Sequence, residues 1–168
     1  MDGTTCGLMR AVIGAIARGD LAVLRSFPAP DLKARLGTEK GDTLLSWACR
    51  HNQAAVARWL LEQGAEVAGT TDRGTPALAI AGQEGHSDCV RVLLGAGAAV
   101  DHMRDDGATA LIFATQNGHP DCVRVLLDAD ASIDLCGDTR ITPLAKASQS
   151  GRTECVKLLS SHGASRKA

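Results

Sequence analysis

Val123, Leu126 and Leu127 stand at i, i+3 and i+4, the spacing of an apolar stripe along one face of a short helix. A second helix is predicted just upstream. Asp105-Asp106-Gly107 is turn chemistry, and Thr109 is placed to N-cap a helix over Ala110, Leu111, Ile112, Phe113, Ala114 and Thr115. Gly118 stops that helix. Pro120 then opens the next one, at a first-turn position where its missing N–H costs nothing. The second helix stops at Asp130, and Ile133 enters the next connection. Neither helix is long enough to be stable alone, so the apolar faces must be buried against neighbouring units.

Those neighbours are written in the chain. GHSDCVRVLLGAGAAVD begins at Gly85, and GHPDCVRVLLDADASID begins at Gly118, 33 residues later. Cys89, Cys122 and Cys155 keep the same step. So do Gly41, Gly74 and Gly107, with Arg140 where a fourth glycine would fall. One step before Gly41 is Leu8, which opens a looser unit. Five units of 33 account for 165 of the 168 residues. A fixed period of this length means a solenoid whose units each contact only their neighbours. The expected class is all-α: a single domain over 1–168, built from five helix-turn-helix units joined by β-turn arms. The units are expected over about 5–37 (an N-terminal cap), 38–70, 71–103, 104–136 and 137–168 (a C-terminal cap).

Composition narrows the picture. Hydrophobic residues make up 45% of the chain, yet its aromatics are only Phe27, Trp47, Trp59 and Phe113. The core is therefore Ala, Leu and Val, which suits closely packed short helices. Eighteen Lys and Arg against nineteen Asp and Glu leave a net charge of −1, which asks for neither nucleic acid nor an anionic membrane. There is no apolar run of about 18 residues for a membrane span. MDGTTCG at the N-terminus lacks the basic and long apolar regions of a signal peptide.

Thr142-Pro143-Leu144, Gly118-His119, Leu93-Leu94 and Gly97-Ala98 match the pattern G-x-T-P-L-H-x-A-A-x-x-G-H followed by V-x-x-L-L-x-x-G-A. Over essentially its whole length the chain resembles the ankyrin-repeat family. The resemblance implies a non-catalytic scaffold that binds a protein or an extended peptide. It also implies an intracellular location, cytoplasmic or nuclear, and a monomer by itself. Several positions depart from the pattern. Pro76 takes the Thr place and Ala77 the Pro place, so Thr75 is expected to cap one residue early. Ser46, Ala79, Ile112 and Ala145 replace the His that normally knits adjacent turns. Pro28 and Pro30 cut short the second helix of the first unit, where Phe27 takes the first Leu place. Lys146 stands where Trp47, Ile80 and Phe113 stand earlier, a charge that fits a last helix facing water.

His86-x-x-Cys89 and His119-x-x-Cys122 look like zinc half-sites. However, the cysteines fall in register with Val23 and Val56, where Cys packs as a small hydrophobe. Equivalent places in adjacent units also stand about 10 Å apart. They are read as seam positions, with no metal, no cofactor and free thiols; the same separation argues against disulfides between equivalent places. Cys6 and Cys136 lie outside the predicted helices and are the candidate reactive thiols. Asp130 takes the helix-ending place of Gly64, Gly97 and Gly163. His86-Ser87-Asp88 holds triad residue types, but adjacent side chains cannot converge as a triad must. Gly95-Ala96-Gly97 lacks the strand-to-helix context of a phosphate loop.

What remains is a surface. In this family the variable positions at the turn tips and inner-helix ends line a concave face. Here they are Glu39, Lys40, Asp42, Arg50 and His51; Asp72, Arg73, Thr75, Gln83 and Glu84; Asp105, Asp106, Ala108, Gln116 and Asn117; and Asp138, Thr139, Ile141, Gln149 and Ser150. Acidic members outnumber basic ones, and Asp72, Asp105, Asp106 and Asp138 recur near one turn place as a ladder. The expected partner is a protein or peptide segment carrying Arg or Lys, bound along that ladder. Inhibition of an enzyme such as a kinase, and a structural assembly role, are the alternative forms of such binding.

Overall fold

The computed structural model describes residues 3–26, 41–136 and 140–166. These described residues form ten helices: α1 (Gly3–Arg18), α2 (Leu21–Ser26), α3 (Leu44–Arg50), α4 (Ala54–Glu62), α5 (Ala77–Glu84), α6 (Ser87–Gly95), α7 (Ala110–Asn117), α8 (Pro120–Asp128), α9 (Pro143–Gln149) and α10 (Thr153–Arg166). Among the described residues there is no strand; an isolated antiparallel bridge joins Thr70 and Pro76 at the base of a turn arm. Consecutive helices pack as antiparallel pairs. The odd helices stack on one another in chain order, and α4, α6, α8 and α10 form a second stacked layer behind them.

The 33-residue step is a backbone requirement. Every described residue with positive φ falls on one of three registers. Gly19, Asn52, Gly85, Gly118 and Gly151 lie between the helices of a pair; Gly41, Gly74, Gly107 and Arg140 form the turn tips; Gly64, Gly97 and Asp130 follow the second helix. The left-handed region favours glycine because it has no Cβ. Asn52 (φ 57), Asp130 (φ 62) and Arg140 (φ 53) adopt it nonetheless.

Ala15, Ala48, Ala81, Ala114 and Ala147 share one register on the odd helices, and each is 0% exposed. Their small side chains let these helices approach closely; a Cβ added at Gly82 of α5 would lie 2.9 Å from the Ala110 carbonyl of α7. Between the layers, Leu60, Leu93, Leu126 and Leu159 are buried alongside Val56, Cys89, Cys122 and Cys155, so the cysteines pack where the sequence register puts them.

Thr43, Thr109 and Thr142 cap α3, α7 and α9, each accepting a backbone N–H through its hydroxyl oxygen. At α3 the cap is reciprocal, because Thr43 N–H donates to Ser46 Oγ at 2.8 Å. Two expectations are corrected. Thr75 does not cap α5: Pro76 holds the cap place and makes no side-chain cap bond, while Thr75 lies one residue outside, pairing with Thr71 across the turn arm. Nor does Gly163 end the last helix, since α10 runs through it to Arg166. Lys146 is half-buried rather than fully in water. Helix α2 ends at Ser26, and Phe27, Pro28 and Pro30 lie outside the described residues.

Candidate partner-binding surface

The turn tips and the C-terminal ends of the odd helices share one edge of the solenoid, and the sequence candidates there divide into three groups. The first holds the repeats together. Asn117 Nδ2 donates to the Gln83 carbonyl at 2.9 Å, and the same carbonyl accepts from His119 Nε2 at 3.0 Å. His86 Nε2 donates to the Arg50 carbonyl at 3.2 Å. The bond recurs with other chemistry: Gln53 Nε2 donates to the Ala17 carbonyl at 3.0 Å and Arg152 Nε to the Gln116 carbonyl at 3.1 Å. Gln53, His86, His119 and Arg152 thus form one register reaching back 36 residues to the odd helix of the preceding repeat. Sequence reasoning found the histidines but missed the glutamine and the arginine, because it searched for a repeated residue type rather than a repeated donor.

The second group forms ion pairs. Asp42, expected at the surface, is 1% exposed. Its carboxylate accepts from Arg50 Nη2 at 2.9 Å and from Ser46 Oγ at 3.3 Å. Arg50 also reaches Glu84 of the next repeat at 3.3 Å, with Gln83 Nε2 at 3.5 Å from the same carboxylate oxygen. Asp42 sits one residue after the turn-tip glycine with α3 closing over it, so it presents nothing to a partner. Asp106 is likewise engaged. Arg104 grips it with two guanidinium nitrogens, Nε at 2.8 Å and Nη2 on the other oxygen, and the Ala108 N–H adds a third bond at 3.1 Å. The Arg104 hydrogen bond, with help from the Ala108 N–H, brings the Asp106 carboxyl down to about 2. The Arg104 guanidinium also lies 4.9 Å from the centre of the Phe113 ring, a cation–π contact.

The third group projects outward. His51 is exposed and meets Trp47 edge to face at 4.6 Å. Arg73, Asp72, Asp105, Gln116 and Gln149 are exposed; Ala108, Ile141 and Ser150 are half-buried. The two acids have a defined seat. A Cβ at Gly41 would lie 2.1 Å from an Asp72 oxygen, and one at Gly74 would lie 2.1 Å from an Asp105 oxygen. Each carboxylate therefore rests over the turn tip of the preceding repeat. Glu39, Lys40, Asp138 and Thr139 lie outside the described residues.

The His-x-x-Cys pairs do not face a common point. The histidines are spent on carbonyls, and Cys89 and Cys122 are 0% exposed. Burial pushes the Cys122 thiol up to about 11. Among the described residues no group of three or more His, Cys, Asp or Glu could hold a metal ion, and no helix is long and apolar enough to cross a membrane.

A family model for ankyrin repeats in three copies matches residues 8–103 and 78–167. The chain belongs to the ankyrin-repeat family. No curated protein matches it. Ankyrin repeats are generally protein–protein interaction modules and typically non-catalytic, and here the seam register joins one ankyrin repeat to the next.

Proposed function

We propose that this ankyrin-repeat protein is a non-catalytic interaction module that holds a partner protein, or an extended peptide, along its concave face of turn tips and odd-helix ends. The observation that supports this is the third group above. His51, Arg73, Asp105, Gln116 and Gln149 are exposed at turn tips and odd-helix ends along one edge, beside side chains such as Asp42, Arg50 and Asn117 that are engaged in ion pairs or seam bonds. A rigid row of spaced polar groups fixes the register of a partner at little ordering cost.

A basic partner segment is favoured by the exposed carboxylate of Asp105. Asp42 and Asp106 are paired internally and Asp72 is also engaged within the chain, so these three drop out of the proposed ladder. The protein is proposed to act inside the cell, in the cytoplasm or nucleus, and to be a monomer by itself. The test is affinity capture with mass spectrometry, followed by association kinetics with the purified partner. Asp105→Asn keeps the seated side-chain shape and removes its charge. It should slow association and flatten its salt dependence. Unchanged kinetics with the captured partner would remove this concave acid from the site.

A further inference from the structure

Arg58, Arg91, Arg124 and Lys157 follow one another at 33 residues on α4, α6, α8 and α10. All four are exposed, on the outer face of the even-helix layer. Between α4 and α6 this row meets a groove of about 700 Å³. Arg58 and Arg91 both line it, at the same level on the two helices. Half-buried Leu61 and Val92 supply its apolar wall, with Ala54 and Ala96 beside them. Its ends are acidic: Asp88 lies one turn before Arg91 on α6, and Glu62 lies one turn beyond Arg58 on α4. These charges are available to a partner. Arg58 and Glu62 make no ion pair among the described residues. Arg91 meets Asp88 through one contact at 3.3 Å, with both side chains more than half exposed, and a pair of that kind contributes little and opens readily.

One residue of the lining answers no need of the fold. Gly95 stands in the last turn of α6 and does not hold the positive φ of Gly64 or Gly97. A Cβ built on it meets no atom within 4 Å. Neither backbone conformation nor close packing therefore calls for glycine, which weakens a helix relative to alanine. At the same register α4 carries Glu62 and α8 carries Asp128. A side chain at 95 would stand in the groove, and glycine keeps it clear.

We infer that the α4–α6 groove is a docking site for an amphipathic helix of a partner protein. A central acidic side chain of that helix enters between Arg58 and Arg91, basic side chains to either side meet Asp88 and Glu62, and a leucine covers Leu61 and Val92. The spacing fits a helix. Asp88 precedes Arg91 by three residues and Glu62 follows Arg58 by four, rises of about 4.5 Å and 6 Å along the axis. The i, i+3 and i+4 places on one face of a partner helix reproduce both. Charge order selects the segment and sets its register, and the desolvated apolar contact holds it. The groove shares no residue with the concave face, so either reading can fail without the other.

The test is an amide NMR titration of the full chain with a helical peptide carrying one Lys-Ala-Ala-Glu-Leu-Ala-Ala-Lys motif between neutral Ala and Gln flanks. The control peptide exchanges Lys and Glu. The first peptide should shift the amides of Leu61 and Val92 and bind about tenfold tighter than the control at low salt. Arg58→Glu with Arg91→Glu should reverse that order. Gly95→Gln should weaken the first peptide without lowering the melting temperature, because its Cβ has open space; this variant keeps the test decisive if the double charge reversal disturbs the fold. Equal binding of the two peptides, binding of neither, or no effect of Gly95→Gln would overturn the inference. Shifts centred on Asp105 and Gln116 would overturn it too, and would move the peptide to the concave face.

Discussion

Replacing Arg50 with methionine removes one charge and keeps a long side chain over the same ground. Arg50 is 18% exposed and Asp42 is 1% exposed, so the change leaves a carboxylate shut away from water without its cation. Breaking a fully enclosed pair from one side costs about 3–5 kcal/mol, and losing one hydrogen bond to a charged group costs about 1.5–3 kcal/mol. Arg50 lies between these cases. Water reaches its outer edge, and Asp42 keeps the Ser46 hydroxyl and a further interaction. The expected loss is therefore about 2–3 kcal/mol, read by urea denaturation followed by circular dichroism. Glu84 is 35% exposed, so Glu84→Gln should cost under about 1 kcal/mol. Asp42→Asn in the Arg50→Met background should recover part of the loss, because an amide needs no cation. The double-mutant cycle should give a coupling of at least about 1 kcal/mol. A loss below about 0.5 kcal/mol for Arg50→Met, or strictly additive effects, would show that the buried carboxylate does not depend on this pair.

Three further outcomes are expected. Asp130→Gly should stabilise the fold by about 0.5–1 kcal/mol, because Asp130 holds φ 62 where Gly64 and Gly97 hold φ 93 and φ 85; a lower melting temperature would mean that its own interaction outweighs the strain. The Asp106 carboxyl is lowered in the folded state to about 2, so its stabilisation is complete above the unfolded carboxylate range near 3.9 and is lost as pH falls towards 2; Asp106→Asn should flatten the stability profile between those limits. Thiol labelling of the native protein should be fast at exposed Cys136 and should reach the buried Cys49, Cys89, Cys122 and Cys155 only after denaturant is added; rapid labelling of Cys122 in the native state would contradict its burial.

The fold was legible in the sequence because left-handed turn positions recur at 33 residues and glycine fills most of them. The apolar stripe of Val123, Leu126 and Leu127, the cap at Thr109 and the first-turn Pro120 are local signals, and local signals survive without tertiary knowledge. The surface was less legible. Asp42 and Asp72 look alike in sequence, one on each side of a turn-tip glycine in its unit, yet one is walled in by α3 and the other rests on the preceding repeat. That distinction depends on stacking, which a single unit cannot encode.

The seam register has an evolutionary consequence. Gln53, His86, His119 and Arg152 are chemically different donors, and the residues that receive them, Ala17, Arg50, Gln83 and Gln116, share nothing but a carbonyl group. The joint constrains the donor's residue to be a donor and leaves the acceptor's identity free. A unit can therefore be duplicated, excised or exchanged by recombination without a matching change in the helix it lands on. Arg50 is held for another reason, its pair with buried Asp42, but a side chain such as Gln116, exposed above its carbonyl, is left at liberty to diversify towards whatever the protein binds, while the backbone beneath it goes on fastening one unit to the next.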